Sequence, residues 1–178
     1  MEDSTDLRYP IGKFKAPDKI TGEMRKAFIK DIESTPKLFR RAVDGLSPKK
    51  LNTPYREGGW TIRQVVHHVP DSHLNAYVRM KLALTENEPT IKPYEQNEWA
   101  KLNDTFNTPI SVSLDLLEAL HKRWVNLLKS LSESDFKKNF RHPEVGLVNI
   151  DWALSQYSWH GKHHTAHITS LRKRMGWK

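Results

Sequence analysis

The amino-acid sequence predicts an all-α protein, a four-helix bundle built from two similar helix–turn–helix halves. Two observations support this prediction. Apolar residues recur at helical spacing in four long stretches, and the short block between the first two stretches is repeated between the last two. The chain has 178 residues, which fits a single domain covering 1–178, and no shift in composition divides it.

The first half contains two long helices joined by a short helical turn. The first helix is predicted to start near Thr21, and Pro36 in its middle predicts a kink or a break. Ser47 as N-cap and Pro48 at the first helical position predict the short turn.

The second helix has the best-marked start in the chain. Thr61 and Gln64 have the spacing of a capping box, and Trp60 and Val65 have the spacing of a hydrophobic staple. Pro70 should bend this helix early, because a proline removes a backbone donor.

In the second half, a third long helix is predicted from about Ser113, followed by another short turn. His142 and Pro143 should form a turn before the last helix, which extends from Trp152 to Trp177.

Two segments lie outside the helices. An N-terminal arm of about residues 1–18 should be ordered and extended between Tyr9 and Phe14, since prolines flank apolar residues there. A long loop of about residues 87–110 contains Tyr94 and Trp99 in an irregular pattern. These two aromatic residues either cover a site as a lid or plug the end of the bundle.

An internal repeat relates the two halves. Two blocks share one pattern of residues: Leu46-Ser47-x-x-x-Leu51-x-x-x-Tyr55-Arg56 in the first half and Leu131-Ser132-x-x-x-Phe136-x-x-x-Phe140-Arg141 in the second. The helix after each block opens at a tryptophan, Trp60 or Trp152, and a histidine follows eight residues later, His68 or His160. The repeat therefore pairs His68 with His160.

Three histidines form the predicted metal site. His160 and His164 are four residues apart and share the apolar face of the last helix, a common way for one helix to supply two ligands. The repeat indicates His68 as the third ligand. His67 is the alternative, but it lies on a face of the helix farther from the apolar stripe. Three histidines from two helices are typical of a catalytic metal site, which keeps a coordination position open.

Two further residues are candidates for a supporting role. Asp71 follows His68 by three residues and could orient a ligand, act as a base, or be a solvated helix residue. His163 lies off the ligand stripe and should either line the pocket or face solvent.

Composition excludes several other functions. The net charge is +8, but the basic residues are scattered rather than gathered on one predicted face, which argues against nucleic-acid binding. No cysteine is present, so a metal site must use histidine and carboxylate ligands. The sequence shows neither a signal-peptide core nor a membrane span, and we expect a cytoplasmic protein with no membrane partner.

The sequence resembles the DinB-like superfamily and, within it, the YfiT-type metal-dependent hydrolases, which are related to the bacillithiol S-transferases. The motifs of this resemblance run nearly end to end: Tyr9-Pro10-Ile11-Gly12, Gly58-Gly59-Trp60-Thr61, Arg63-Gln64-Val65-Val66-His67-His68, Asp71-Ser72-His73, Lys92-Pro93-Tyr94, His142-Pro143, Trp159-His160, His163-His164 and Ala166-His167-Ile168.

The resemblance implies an antiparallel four-helix bundle that assembles as a homodimer. It also implies one divalent ion per chain, zinc or alternatively nickel, on His68, His160 and His164. Many superfamily members have glutamine where this chain has His167, which is therefore either a neighbour of the site or an alternative donor.

Three functions are compatible with such a site. In a metal-dependent hydrolase, the ion lowers the pKa of its water and polarises the substrate. Gly161 follows His160, so the H-E-x-x-H pattern of peptidases is absent. The alternatives are a transferase that uses a low-molecular-weight thiol and a metal-binding stress-response module without turnover. The resemblance favours a hydrolase of a small-molecule substrate.

Overall fold

The computed structural model describes residues 6–177 and has the predicted four-helix bundle. Four long helices form the bundle: α1 (Gly22–Val43), α3 (Ile62–Thr85), α6 (Ile110–Ser130) and α7 (Ile150–Arg174). The connections contain three short helices and one strand pair: α2 (Pro48–Leu51), α4 (Gln96–Trp99), α5 (Asn103–Asn107), and the antiparallel strands β1 (Asn139–His142) and β2 (Gly146–Asn149). A 3₁₀ turn at Asp135–Lys137 precedes β1.

The order of the helices around the bundle differs from their order in the chain. Both α1 and α3 pack mainly against α6 and α7, so α1 and α3 occupy opposite corners. Arg25 of α1 contacts Asp151 in the first turn of α7, and Arg172 near the end of α7 binds the carbonyl of Ala42 near the end of α1. These two neighbouring helices therefore run in the same direction.

The α3–α6 pair is also parallel. His67 near the start of α3 contacts Ser113 near the start of α6, and Met80 contacts Trp124 farther along both helices. The other two neighbouring pairs, α1 with α6 and α3 with α7, are antiparallel, since His68 contacts His164 whereas His73, farther along α3, contacts the earlier Tyr157 of α7. The antiparallel crossing of α3 over α7 brings the histidines of both helices together.

The predicted starts of α2 and α3 are confirmed. The Thr61 side chain accepts a hydrogen bond from the Gln64 amide, and the Gln64 side chain accepts one from the Thr61 amide at 2.9 Å, which completes the capping box. The Ser47 side chain caps α2, with Pro48 at its first position.

Pro36 and Pro70 both lie inside uninterrupted helices, so the predicted break at Pro36 is wrong. A proline has no amide hydrogen, and the carbonyl four residues earlier loses its helical donor. In α1 this leaves the carbonyl of Ile32 free to accept a hydrogen bond from another element.

Several boundaries differ from the sequence prediction. Helix α6 begins at Ile110 rather than Ser113, and the long loop contains α4 and α5, two helices too short to show a periodic pattern. The β1–β2 hairpin was not predicted, and the turn at Pro143 lies at its tip. The hairpin is stabilised by tertiary packing, since it buries Phe140 in the core.

The N-terminal arm is ordered but is extended over only part of its length. Between Asp6 and Gly12 it forms two successive turns, and only then does it extend toward α1. Phe14 packs against Trp152 and Trp159 of α7. The first five residues of the predicted arm lie outside the described part of the chain.

The core consists of two apolar clusters. One surrounds Trp124 and the other surrounds Leu117. On both α3 and α7, the stretch between the residues of the two clusters is rich in buried histidine and serine. The predicted metal site lies in this polar layer.

Candidate metal centre

The structure brings together the three histidines predicted as ligands. One ring nitrogen from each of His68, His160 and His164 lies within 4.8 Å of the other two. His68 and His164 are buried and His160 is partly buried. The ring centroids of His160 and His164 are 4.4 Å apart, and that of His68 lies 4.9 Å from His164.

Gly161 allows α7 to approach α1 closely beside the site. A Cβ at this position would lie 2.7 Å from Oγ1 and 2.8 Å from Cγ2 of Thr35, which is buried. Any larger side chain would clash there. This contact gives a physical reason why the glutamate of an H-E-x-x-H pattern is absent after His160.

A cavity of about 530 Å³ opens onto His160 and His164. Its walls come from α7, from the N-terminal arm, from the segment before α3 and from α4. Besides the histidines, they include Arg8, Tyr9, Tyr55, Arg56, Trp60, Gln96, Asn97 and Trp159. The arm and α4 were not recognised from sequence as parts of this wall.

Tyr94 and Trp99 do not form the wall of this cavity. They pack against each other, with ring centroids 4.6 Å apart. The long loop instead contributes Gln96 and Asn97. The structure thus does not place the two aromatic residues as a lid over the histidines.

His67, the alternative to His68 as third ligand, contacts α6 instead of α7. Its Nδ1 lies 2.7 Å from the Ser113 hydroxyl on α6. The ring is buried, although the helical wheel placed it away from the apolar stripe, because α6 packs against that side of α3. Its ring is outside the group formed by His68, His160 and His164.

His163 and His167 also belong to the cavity wall. His163 is buried and stacks on Trp159 with centroids 4.2 Å apart, so of the two alternatives for this residue it lines the pocket and does not face solvent. His167 stacks on Tyr55 at 4.0 Å. Its Nδ1 lies 3.3 Å from Nδ1 of His164, and its Nε2 lies 3.1 Å from the carbonyl oxygen of Arg8.

Asp71 is partly buried on α3, so it is not a freely solvated helix residue. Burial, and secondly the nearby Asp104, raises its pKa to about 6. Among residues 6–177, none of the histidines forms a hydrogen bond or an ion pair with its carboxyl group. The structure therefore does not place Asp71 beside the predicted ligands.

Burial keeps the imidazoles of the site neutral. It lowers the pKa of His68 to about 3, and it lowers the pKa of His160 and His164 well below the ordinary value, with neighbouring imidazoles as a smaller cause. Neutral imidazole is the form that binds a metal ion. The buried, neutral and convergent donors fit a divalent cation held by these three residues.

Two functional candidates were missed at the sequence level. His73 and His121 are fully buried, and Nδ1 of His73 lies 2.8 Å from Nε2 of His121. Nε2 of His73 lies 3.1 Å from Nδ1 of His160, and Nδ1 of His121 lies 2.6 Å from the carbonyl oxygen of Ile32. His73 falls on the apolar stripe of α3, a signal that could have flagged it, whereas His121 gives no such signal.

The fold and the site together define a class of protein, a four-helix bundle with a histidine cluster suited to a divalent metal. Residues 31–168 match the DinB superfamily, and the chain belongs to that family. Within the described part of the chain, no helix combines the length and the apolar character needed to cross a membrane.

Bacterial relatives share most of this sequence. A protein of Bacillus cereus (strain 03BB102) named "Putative metal-dependent hydrolase" is 58% identical over 172 residues, which cover 97% of this chain and 99% of the relative. A protein of Bacillus anthracis (strain A0248) with the same name is 57% identical over the same coverage.

Two solved structures are similar. YfiT from Bacillus subtilis is described as "a probable metal-dependent hydrolase with an unusual four-helix bundle topology"; it is 46% identical, with a TM-score of 0.94 over 97% of this chain and 99% of YfiT. The four-helix bundle protein TT2238 is 19% identical, with a TM-score of 0.55 over 84% of this chain and 98% of TT2238, and supports the fold alone.

Proposed function

We propose that this protein is a hydrolase in which His68, His160 and His164 hold one divalent ion, zinc or alternatively nickel, that activates water. The observation that supports the proposal best is the convergence of three neutral imidazoles where a cavity of about 530 Å³ opens to the site. Three protein ligands leave a coordination position free for water or substrate.

The bound ion would supply Lewis acidity and lower the pKa of its water. The protein contributes the three ligands and a wall that excludes part of the bulk solvent. On that wall His163 has a buried Nδ1 without a hydrogen-bond partner, which makes it the candidate to hold a proton near the substrate. Burial, and secondly His167, lowers the pKa of His163 to about 4, so the ring is neutral near pH 7 and would hold a proton only transiently.

The relatives support hydrolysis as the reaction class. The similar Bacillus proteins are named "Putative metal-dependent hydrolase" and YfiT is described as "a probable metal-dependent hydrolase", and they cover nearly the whole chain. Gly161 excludes the built-in glutamate base of peptidases, which argues for a non-peptide substrate. A small-molecule substrate, a homodimeric assembly and a cytoplasmic location remain proposals that rest on the resemblance and the sequence.

Metal content and hydrolysis test the proposal together. We expect about one zinc or nickel ion per chain by elemental analysis, and hydrolysis of small esters or amides in thiol-free buffer. His68→Ala, His160→Ala and His164→Ala should each lose both the metal and the activity. His67→Ala is the matched control, a histidine of the same helix outside the cluster, and should retain both.

The same assay distinguishes the alternative functions. Turnover that requires an added low-molecular-weight thiol, and saturates with it, would show a transferase instead of a hydrolase. Stoichiometric metal without turnover on any substrate would leave a binding module. Hydrolysis that persists after complete removal of the metal would contradict both metal-dependent reactions.

A further inference from the structure

Two buried histidines, His73 and His121, have no role in the function proposed above, yet His73 is in hydrogen-bond contact with the predicted ligand His160, and His121 is in contact with His73. We call the series His160, His73, His121 and the Ile32 carbonyl the core chain. A second series, His164, His167 and the Arg8 carbonyl, is called the arm chain. Each begins at a ligand on α7 and ends at a backbone oxygen.

The end of the core chain sets the direction of all its hydrogen bonds. A carbonyl oxygen can only accept, so Nδ1 of His121 must carry the proton that it donates to Ile32 at 2.6 Å. A neutral imidazole has one proton, and Nε2 of His121 is therefore an acceptor. It accepts from Nδ1 of His73, 2.8 Å away.

The same logic continues to the ligand. His73 has its proton on Nδ1, so its Nε2 accepts from Nδ1 of His160 at 3.1 Å. His160 then has its lone pair on Nε2. Of its two ring nitrogens, only Nε2 remains available to bind a cation.

Pro36 explains why the acceptor at the end of the core chain is free. In a regular helix, the carbonyl of Ile32 accepts from the amide of residue 36, but proline has no amide hydrogen. A buried carbonyl needs a partner, and Nδ1 of His121 supplies the missing donor.

The arm chain leads to the same result for His164. The carbonyl of Arg8 accepts from Nε2 of His167, so Nδ1 of His167 is an acceptor for Nδ1 of His164. His164 is left with its lone pair on Nε2. Both ligands on α7 thus present the same ring atom.

We propose that His73, His121 and His167 are positioning residues that fix the tautomers of His160 and His164, so that both bind the metal through Nε2. The proposal rests on the ligand assignment of the proposed function. A metal-bound histidine usually donates its other N–H to a carboxylate, a carbonyl or water. Here that acceptor is a second imidazole in each chain.

The chemical consequence is a site without compensating negative charge. Within the described residues 6–177, the hydrogen-bond partners of these five histidine rings include no carboxylate. With neutral imidazole ligands, the complex with a divalent ion would carry a net double positive charge, which favours activation of water. The arrangement also argues against a second ion at His163, His164 and His167, because both ring nitrogens of His167 are already used.

Nitrogen NMR of the protein without metal tests the tautomers directly. With ¹⁵N-labelled histidine, we expect the proton on Nδ1 in His160, His164, His73 and His121. His167 should be the exception, with its proton on Nε2. This measurement needs no variant and no activity. A proton on Nε2 of His160 or His164 would overturn the proposal.

Zinc titration tests the effect on the site. His73→Phe removes the acceptor for His160 and should weaken zinc binding by about 10- to 100-fold. His73→Gln offers a side-chain oxygen in its place and should restore most of the affinity. His67→Phe, an equal change at a buried histidine outside both chains, should leave the affinity unchanged. Circular dichroism checks that each variant is folded.

The outcomes separate this inference from the proposed function. Equal zinc affinity in folded His73→Phe and His67→Phe would refute the positioning role while leaving the three ligands in place. If the unmodified protein bound neither zinc nor nickel, the proposed function would fail. The NMR result would still decide whether the two chains set the tautomers.

Discussion

Helix α7 contains two buried polar regions, one charged and ion-paired and the other neutral. In its first turn, Asp151 is fully buried and pairs with Arg25 and Lys137. Two to four turns later, a cluster of neutral histidines is buried without a carboxylate partner in the described chain. The comparison shows how one helix buries ionisable groups for two different purposes.

The charged network is compensated locally. Arg25 donates two hydrogen bonds to Asp151, at 2.6 and 2.9 Å, and also contacts Glu133. Burial alone would raise the pKa of Asp151, but the hydrogen bonds from Arg25 and Lys137 outweigh it and the pKa is lowered. The hydrogen bond to Asp151 likewise raises the pKa of Arg25. Every charge here has its counter-charge in contact, so the network has none left to bind a ligand.

The histidine cluster, in contrast, consists of neutral groups. Burial lowers the pKa of His73 well below the ordinary value and that of His121 to about 4, so the rings stay neutral. Their hydrogen bonds end on backbone carbonyls rather than on charged groups. A neutral cluster of donors at a cavity is suited to receive a cation, whereas the ion-paired network is suited to hold α1 against α7.

Breaking the ion pair should have the largest effect on stability. Arg25→Leu leaves Asp151 buried and without its main partner, and the free energy of unfolding should fall by about 3–5 kcal/mol. Urea unfolding measures this loss, and metal stoichiometry should not change. Lys137→Ala is the control: its side chain is 57% exposed, and the loss should stay below about 1 kcal/mol. A small loss in Arg25→Leu would show that the network is not structural.

The ion pair of Asp151 should also make the free energy of unfolding depend on pH. Because the folded pKa of Asp151 lies below its unfolded value, the contribution is present above about pH 4 and is lost as pH falls through the folded pKa. Asp151→Asn should therefore unfold with a weaker dependence on acid than the unmodified protein. An equal acid dependence in both proteins would contradict the assignment.

Metal removal should have the next largest effect. The two apolar clusters form the core and include none of the three predicted ligands, so chelation should leave the helical circular dichroism intact. Loss of an ion present at about 100 to 1,000 times its Kd lowers stability by about 3–4 kcal/mol. Thermal unfolding with and without chelator measures this shift. A random-coil spectrum after chelation would instead show that the histidine cluster is as structural as the ion pair.

Gly161 follows the ligand His160 and packs against α1, and its substitution should have the smallest effect. Gly161→Ala gains about 1 kcal/mol of helix propensity but forces a methyl group against Thr35. Overpacking costs about 1–3 kcal/mol, so after the gain in helix propensity we expect a net loss of up to about 2 kcal/mol in urea unfolding. In a Thr35→Ala background the clash is relieved and most of this loss should disappear. The same loss in both backgrounds would show that Thr35 is not the obstacle.

The sequence by itself determined the features that depend on one helix. The four apolar stripes predicted the bundle, the Thr61 capping box predicted the start of α3, and the spacing of His160 and His164 placed both on one face. These features follow from local geometry, because residues four apart in a helix always lie together. The repeat added His68, since it related one half of the chain to the other.

The tertiary structure decided the features that depend on how the helices meet. Pro36 predicted only a kink or a break, but the packing of α6 on α1 brings His121 to the carbonyl that Pro36 leaves free. The arm carbonyl of Arg8 reaches His167 across 159 residues of sequence. Such contacts are set by the register and crossing of separate elements, and no local spacing in the sequence encodes them.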